Sequence, residues 1–286
     1  MFTPSTINLV DLQKTLFCVA YKMIGEIAPS EDIVQDTITA YLEKSAKREL
    51  SHIQNLKKYL ITATTNRSIN YLKRIKKERA NYFGVWLPEP ILNESQLIDF
   101  QLDMDYGITF LLSYLQPKER AVFILKHGFD FTFKEIGEAL QLKEATCRKT
   151  FQRLQVKLTK EAQQVAVKRT QKERLLKAFL AVGKTDGLDH LIAILKEDIV
   201  IYSDGGGKKS AAKVPLVGIT ICSKFLLGLF KKKGTELRTE YAMVNGAPAL
   251  KLYDLEDTLD TIVVLNLDDF QINKLFFIRN PDKFQL

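Results

Sequence analysis

The chain has few of the residues that anchor covalent or metal chemistry. Its 286 residues include three cysteines, three histidines and one tryptophan. Cys18, Cys147 and Cys222 are odd in number and far apart, so reduced thiols are expected rather than a disulfide framework. No close Cys/His pair has metal-ligand spacing. Long hydrophobic runs are also missing. The longest, residues 214–230, is broken by Gly218, Ser223, Lys224 and Gly228, which excludes it as a membrane span. The opening residues, MFTPSTINLVDLQKT, have neither a basic stretch nor an apolar one, so no secretory signal is expected. Internal repeats and low-complexity tracts are absent. What is abundant is positive charge: 42 Lys and Arg against 34 Asp and Glu, a net +8. That balance suits an anionic partner but does not by itself separate nucleic acid from a membrane surface or a plain soluble protein. The length leaves room for two or three compact units.

Residues 8–77 read as helices. Leu9, Leu12, Leu16, Val19, Ala20 and Met23 recur at three- and four-residue spacing, the buried stripe of a helix. Pro29 and Ser30 then read as a break, with Ser30 as an N-cap and Glu31 and Asp32 in the first turn. The helix that follows is expected to bury Ile33, Val34, Ile38, Tyr41 and Leu42, and a third helix to run from near Asn55 past Arg74. Residues 81–94 hold Gly84, Pro88 and Pro90 and read as a linker, although Phe83, Val85 and Trp86 are apolar for a free one. Helical periodicity returns from about 97 to 182, with turns at Gln116-Pro117 and near Gly128 and Leu142. Beyond Lys184 the texture changes. Residues 197–202, 237–244, 249–253, 261–267 and 272–278 read as strands of an antiparallel, strongly curved sheet. Helices are expected at 171–182, 188–195 and 219–232.

Two constellations carry chemistry. The first is residues 57–79, KKYLITATTNRSINYLKRIKKER. Lys57, Lys58, Arg67, Lys73, Arg74, Lys76, Lys77 and Arg79 surround Asn66, Asn70 and Tyr71, and Glu78 is the only acid. Alone, such a helix is as well read as a solvated face. It also has what an opened DNA strand needs: cations for the phosphates, amides and rings for unstacked bases. Upstream, Glu31, Asp32, Gln35 and Asp36 share one helical face, either solvated or a protein docking surface. The second constellation is residues 115–158. Pro117 suits a first helical turn, and that helix would bury Val122, Phe123 and Leu125. Thr132 and Glu135 have capping-box spacing, followed by an apolar stripe of Ile136, Leu140 and Leu142. A further helix at 145–158 turns Cys147, Phe151, Leu154 and Leu158 inward and Thr146, Arg148, Lys149, Gln152, Arg153 and Lys157 outward. A short helix, a tight turn and a polar, basic second helix make a major-groove reader; a charged three-helix bundle is the plainer alternative. Gln141 stands where many such turns have Gly.

In this order, "EDIVQDT", "LKKYLITATTNRSINYLKRIKKER" and the helix-turn-helix resemble the extracytoplasmic-function (ECF) sigma factors. The resemblance implies two all-α sigma domains. It assigns Asp32, Gln35 and Asp36 to contact with core RNA polymerase. Asn66, Arg67, Asn70, Lys73 and Arg74, with Lys76 and Lys77 beside them, are assigned to the promoter −10 element. The outward face Thr146, Arg148, Lys149, Gln152, Arg153 and Lys157 is assigned to the −35 element.

Three further stretches have bland readings as spacer, hairpin turn and strand stop: Trp86-Leu87-Pro88-Glu89-Pro90, Asp204-Gly205-Gly206-Gly207-Lys208 and Asn280-Pro281-Asp282-Lys283-Phe284. The Gly-rich one lacks Walker spacing. Together they resemble the signatures of the ECF subgroup with a fused SnoaL-like domain, an α+β cone-shaped curved sheet that regulates the sigma domains. The implied organisation is residues 1–80 as N-terminal sigma domain, 81–105 as linker, 106–165 as helix-turn-helix domain and 170–286 as SnoaL-like domain. A loop at 204–208 docked on the linker around Trp86 would follow. The expected function is promoter-specific transcription initiation in the cytoplasm, without enzymatic chemistry, cofactor or membrane. Two readings compete: a SnoaL-like cyclase or isomerase using His190 or Asp204, and a sensor that binds a small molecule in the cone.

Overall fold

The first helix, α1 (Leu9–Ile24), forms along the expected stripe, and Leu12, Leu16, Val19, Ala20 and Met23 are all buried. Gly25 ends it at φ 80°, its N–H bonded to the Tyr21 carbonyl at 2.7 Å, a left-handed stop that suits glycine. In this computed structural model, residues 9–47, 50, 53–92, 105–162, 192–233, 238–268 and 271–284 are described. Helix α2 (Ile27–Ala46) starts earlier than the sequence suggests. Pro29 lies in its first turn, where no N–H is needed, so it does not break the chain. Ser30 is therefore no N-cap: it is buried inside the helix, and its hydroxyl donates to the Glu26 carbonyl at 2.5 Å. Leu42 also departs from expectation, at 57% exposed. Each i+4 step drifts about 40° around a helix, so two steps from Val34 carry Leu42 off the buried stripe of Ser30, Ile33, Val34 and Thr37.

Helix α3 (Leu56–Arg74) is capped by Asn55, whose side chain accepts from the Lys58 N–H, and a short α4 (Lys76–Ala80) follows. Helices α5 (Tyr106–Ser113), α6 (Pro117–Phe129), α7 (Phe133–Leu140) and α8 (Glu144–Ala162) complete the helical part. One apolar cluster runs from Leu12 and Leu16 through Leu60 and Ile69 to Val122, Ile136 and Leu154.

The chain divides into two compact units. One comprises Met1–Glu78, Ser95–Met104 and Ile108–Lys160; the other comprises Arg79–Glu94, Asp105–Gly107 and Glu161–Leu286. In the second unit, β1 (Leu195–Asp204), β2 (Leu216–Val217), β3 (Thr239–Val244), β4 (Ala247–Tyr253), β5 (Leu259–Asp268) and β6 (Gln271–Ile278) form one six-stranded sheet ordered β2-β1-β6-β5-β4-β3. It is mixed rather than wholly antiparallel, because β6 enters between β1 and β5 and runs parallel to β1. The two-residue β2 is too short to leave a period-2 pattern and was not anticipated. Asn245 and Gly246, at φ 51° and 76°, form the hairpin turn between β3 and β4. Register shifts in β1, β4 and β5 mark bulges, which bend a sheet.

Helix α9 (Ile219–Lys233) covers one face, with Cys222 and Leu226 among Ile199, Ile201, Val263, Leu265 and Phe277. On the other face Phe276 meets Tyr202 and Tyr106, ring centroids 5.5 and 5.2 Å away. The segment read as a linker belongs to this unit, and its Val85, Leu87, Pro88, Pro90 and Ile91 are buried. The helix expected at 171–182, most of that at 188–195, and His190 lie outside the described residues.

Candidate nucleic-acid interface

On α2 the face carrying Glu31, Asp32, Gln35 and Asp36 is exposed. The opposite face is held inward partly by local bonding: Thr37 donates to the Ile33 carbonyl at 2.7 Å. Helix α3 uses the same device, with Thr65 and Ser68 donating to the carbonyls of Ile61 and Thr64. With these hydroxyls satisfied inside the helix, Leu60, Ile61, Ile69 and Leu72 seat α3 in the core, and Asn70, Lys73 and Arg74 face solvent, with Lys76 and Lys77 on α4. The cations also cluster at the C-terminal end of α3, where the helix dipole favours them. Arg67 is half-buried and 4.0 Å from Asp36, and the Arg74 guanidinium lies 5.3 Å from the Tyr71 ring. Asn66 is placed differently. It is half-buried, and its amide donates to the Ala139 carbonyl of α7 at 3.1 Å.

The helix-turn-helix follows the sequence closely. Gln116 and Glu119 form a capping box at α6, Thr132 and Glu135 another at α7. The Glu135 carboxyl is pushed down to about 2, chiefly by the hydrogen bond from Lys58 and then by the Thr132 backbone. Gln141 does take the left-handed conformation, at φ 53°. The glycine that the turn requires is Gly137, which the sequence reading did not single out. A Cβ there would sit 2.7 Å from the Leu142 carbonyl oxygen. On α8, Cys147, Leu154 and Leu158 are buried, while Thr146, Arg148, Lys149, Gln152, Arg153 and Lys157 are all exposed. Glu144 and Glu119 pair with Arg148 and Arg153. Arg148 also lies 5.0 Å from the Phe133 ring.

The three short motifs of the sheet unit converge. Asp204 is fully buried at the end of β1. Its carboxylate accepts from the Tyr82 hydroxyl at 2.6 Å, the Leu87 N–H at 2.9 Å, the Gly206 N–H at 3.0 Å and the Lys283 ammonium at 2.6 Å. Lys283, on a single 3₁₀ turn (Pro281–Lys283) capped by Asn280, also donates to the Leu87 carbonyl. Trp86 lies between two cations, 3.7 Å from Arg79 and 4.4 Å from Lys283. Gly206, at φ 60°, passes so close to Asn280 that a Cβ would meet its side chain at 2.4 Å. Lys208 pairs with Asp282 at 2.6 Å. Burial and Asp204 both raise the Tyr82 hydroxyl well above its ordinary value, so it stays a donor. Two further anchors went unforeseen. Ile91 exchanges hydrogen bonds with the side chain and backbone of Asn245, and the Tyr106 hydroxyl donates to the Pro88 carbonyl at 2.7 Å. The Asn-Gly pair was a legible turn signal; its grip on Ile91 was not. As the acceptor of four donors, Asp204 is a structural hub with no approach for a substrate proton.

Comparison with known proteins agrees with this geometry. The family description "Sigma-70 region 2" matches residues 9–78, and "Sigma-70, region 4" matches residues 108–157. The ECF RNA polymerase sigma factor SigJ of Mycobacterium tuberculosis is 27% identical over 96% of this chain and 91% of its own length. A probable ECF sigma factor, SigI, from the same species is 22% identical over 92% and 89%. The crystal structure of SigJ superimposes with a TM-score of 0.78 at 24% identity, covering 96% of both chains, the curved-sheet unit included. The chain thus carries sigma-70 region 2 and region 4 helical modules followed by a curved mixed-sheet domain, and over nearly its whole length it is similar to ECF sigma factors.

Proposed function

We propose that this sigma factor directs core RNA polymerase to promoters through two separate cationic helical faces. The observation that carries the reading is the exposure of both. The α3–α4 face offers Asn70, Lys73, Arg74, Lys76 and Lys77, with the half-buried Arg67 beside them; the α8 face offers Thr146, Arg148, Lys149, Gln152, Arg153 and Lys157. The first suits an opened −10 strand, where cations track phosphates and amides meet bases. The second suits the −35 major groove, where Arg and Gln pair with purine edges. The acidic α2 face, Asp32, Gln35 and Asp36, suits the polymerase. The sheet unit acts as the regulator by gripping residues 82–91, the segment that joins the two DNA readers. Pinned through Asp204, Lys283, Asn245 and Tyr106, that segment has little slack, so the clamp sets how far apart the readers can work. A small-molecule ligand in the sheet unit would act by biasing this same clamp.

The test is transcription with purified core polymerase and the full chain on genomic DNA, with start sites mapped. Start sites sharing two spaced sequence elements, and none without the chain, are expected. No chain-dependent start at any salt concentration would reject the reading. Lys149→Ala should weaken −35 binding across sequences and lower the salt slope by about 1.

A further inference from the structure

Inside the helical unit, α3 meets α7. Lys58, in the first turn of α3, places its ammonium 2.5 Å from the Glu135 carboxylate. Asn66, about two turns further along α3, donates its amide to the Ala139 carbonyl at 3.1 Å. Glu135 and Ala139 are in turn neighbours at i and i+4 on α7. Two donors of the helix that carries the −10 reading face are thus matched by two acceptors of the helix-turn-helix. The acceptors are an anionic carboxylate oxygen and an amide carbonyl oxygen. A DNA strand offers the same pair, a phosphate oxygen and a base carbonyl. The Phe131 ring, 5.1 Å from the Lys58 ammonium, adds to the seat. Deeper contacts hold the two modules together behind this pair. The buried Arg120 guanidinium of α6 donates to the carbonyls of Met23, at the end of α1, and Ser113. The buried Lys22 ammonium donates to the Thr109 hydroxyl at 2.7 Å.

We propose that α7 is an internal stand-in for promoter DNA, Glu135 and the Ala139 carbonyl occupying the donors of Lys58 and Asn66, so that the free chain rests closed and promoter engagement displaces α7. This rests on the sigma-factor reading above but concerns the chain before it meets polymerase. It also explains why Asn66, alone among the side chains assigned to the −10 element, bonds across to the helix-turn-helix. The closed state carries a competition: a strand that takes the donors of Lys58 and Asn66 must first displace Glu135 and the Ala139 carbonyl, and binding through those two is weakened in proportion to the fraction of chains that are open.

The experiment measures the α3–α7 distance in the full chain by paired spin labels on Lys57→Cys and Glu138→Cys. Both positions are exposed, and the native Cys18, Cys147 and Cys222 are all buried, so the labels report these two sites. The free chain is expected to give a single short distance. Glu135→Gln removes the charge that holds Lys58 but keeps a residue able to complete the capping box, so α7 stays folded. It should add a longer distance and tighten binding of a fluorescent single-stranded oligonucleotide about fivefold, as expected for loss of one half-buried ion pair and the larger open fraction that follows. Glu135→Lys should open the pair further, and the charge swap Lys58→Glu with Glu135→Lys should restore the short distance. Unchanged distance and affinity in Glu135→Gln and Glu135→Lys would overturn the proposal, as would a free chain that is already open. Because the distance is read without polymerase, opening without promoter-specific transcription would overturn the functional reading alone. Transcription without any change in distance would overturn the closure alone.

Discussion

Replacing Lys283 by Met tests the clamp most directly. The substitution keeps the length of the side chain and removes its ammonium. Asp204 would then keep the Tyr82 hydroxyl and the Leu87 and Gly206 N–H groups but lose its counter-charge, in a site where the two side chains are 0% and 5% exposed. Removing one partner of a buried pair costs about 3–5 kcal/mol. The three donors that stay put Lys283→Met at the lower end, about 3 kcal/mol. For a unit of this size that lowers the melting temperature by about 10 °C. Scanning calorimetry of the full chain would read it. So would tryptophan emission, because Trp86, the only tryptophan in the sequence, lies 4.4 Å from the Lys283 ammonium. Asp204→Asn combined with Lys283→Met should recover much of the loss, since removing both charges leaves none buried alone. A Lys283→Met chain melting within about 2 °C of its parent would refute the reasoning, as would a double variant showing simple additivity.

Gly206→Ala should destabilise the sheet unit by about 1–3 kcal/mol through its left-handed φ and its approach to Asn280, as read from urea midpoints. Gly207→Ala, whose Cβ would be 3.7 Å from Phe83, should lose less; equal losses would discount the Asn280 contact. Glu135, held at about 2 against an ordinary 4.5, stabilises the folded chain above the higher value, and the contribution is lost as pH falls towards the lower one. Glu135→Gln should therefore flatten the fall in unfolding midpoint between about pH 4.5 and 2, and a parallel fall in both proteins would contradict the pairing with Lys58.

The helix-turn-helix was legible almost residue by residue, because its signals are local. Pro117 opens a helix, Thr132 and Glu135 cap the next, and Cys147, Leu154 and Leu158 repeat at helical spacing. Local reading failed where two local rules compete. Ser30 is an equally good cap or internal back-bonder, and the choice fell to Pro29, which a first helical turn tolerates. The turn glycine was sought at 141, whereas the close approach that needs one is at Gly137. The motifs around Trp86, Asp204 and Lys283 could be recognised as segments and even as a docked loop. Their joining chemistry could not, because Leu87 is 117 and Lys283 79 residues from Asp204, and no short-range pattern encodes such a pairing. Tyr82 and Asn245, which complete the grip, look like ordinary loop residues. The parallel pairing of β1 with β6 was hidden for the same reason, since strand spacing in the chain does not reveal strand order in the sheet.

The place of β6 inside the sheet, between β1 and β5, has a consequence for synthesis. A ribosome making this protein completes both DNA-reading modules long before the strand at Gln271–Ile278 emerges. At bacterial elongation speeds the interval from Ile91 to Ile278 is roughly 10–40 s. Through that window Val85, Leu87 and Ile91 have no finished sheet to cover them. The newborn chain is thus sticky first, and covers these side chains only when a late strand slides into the middle of the sheet.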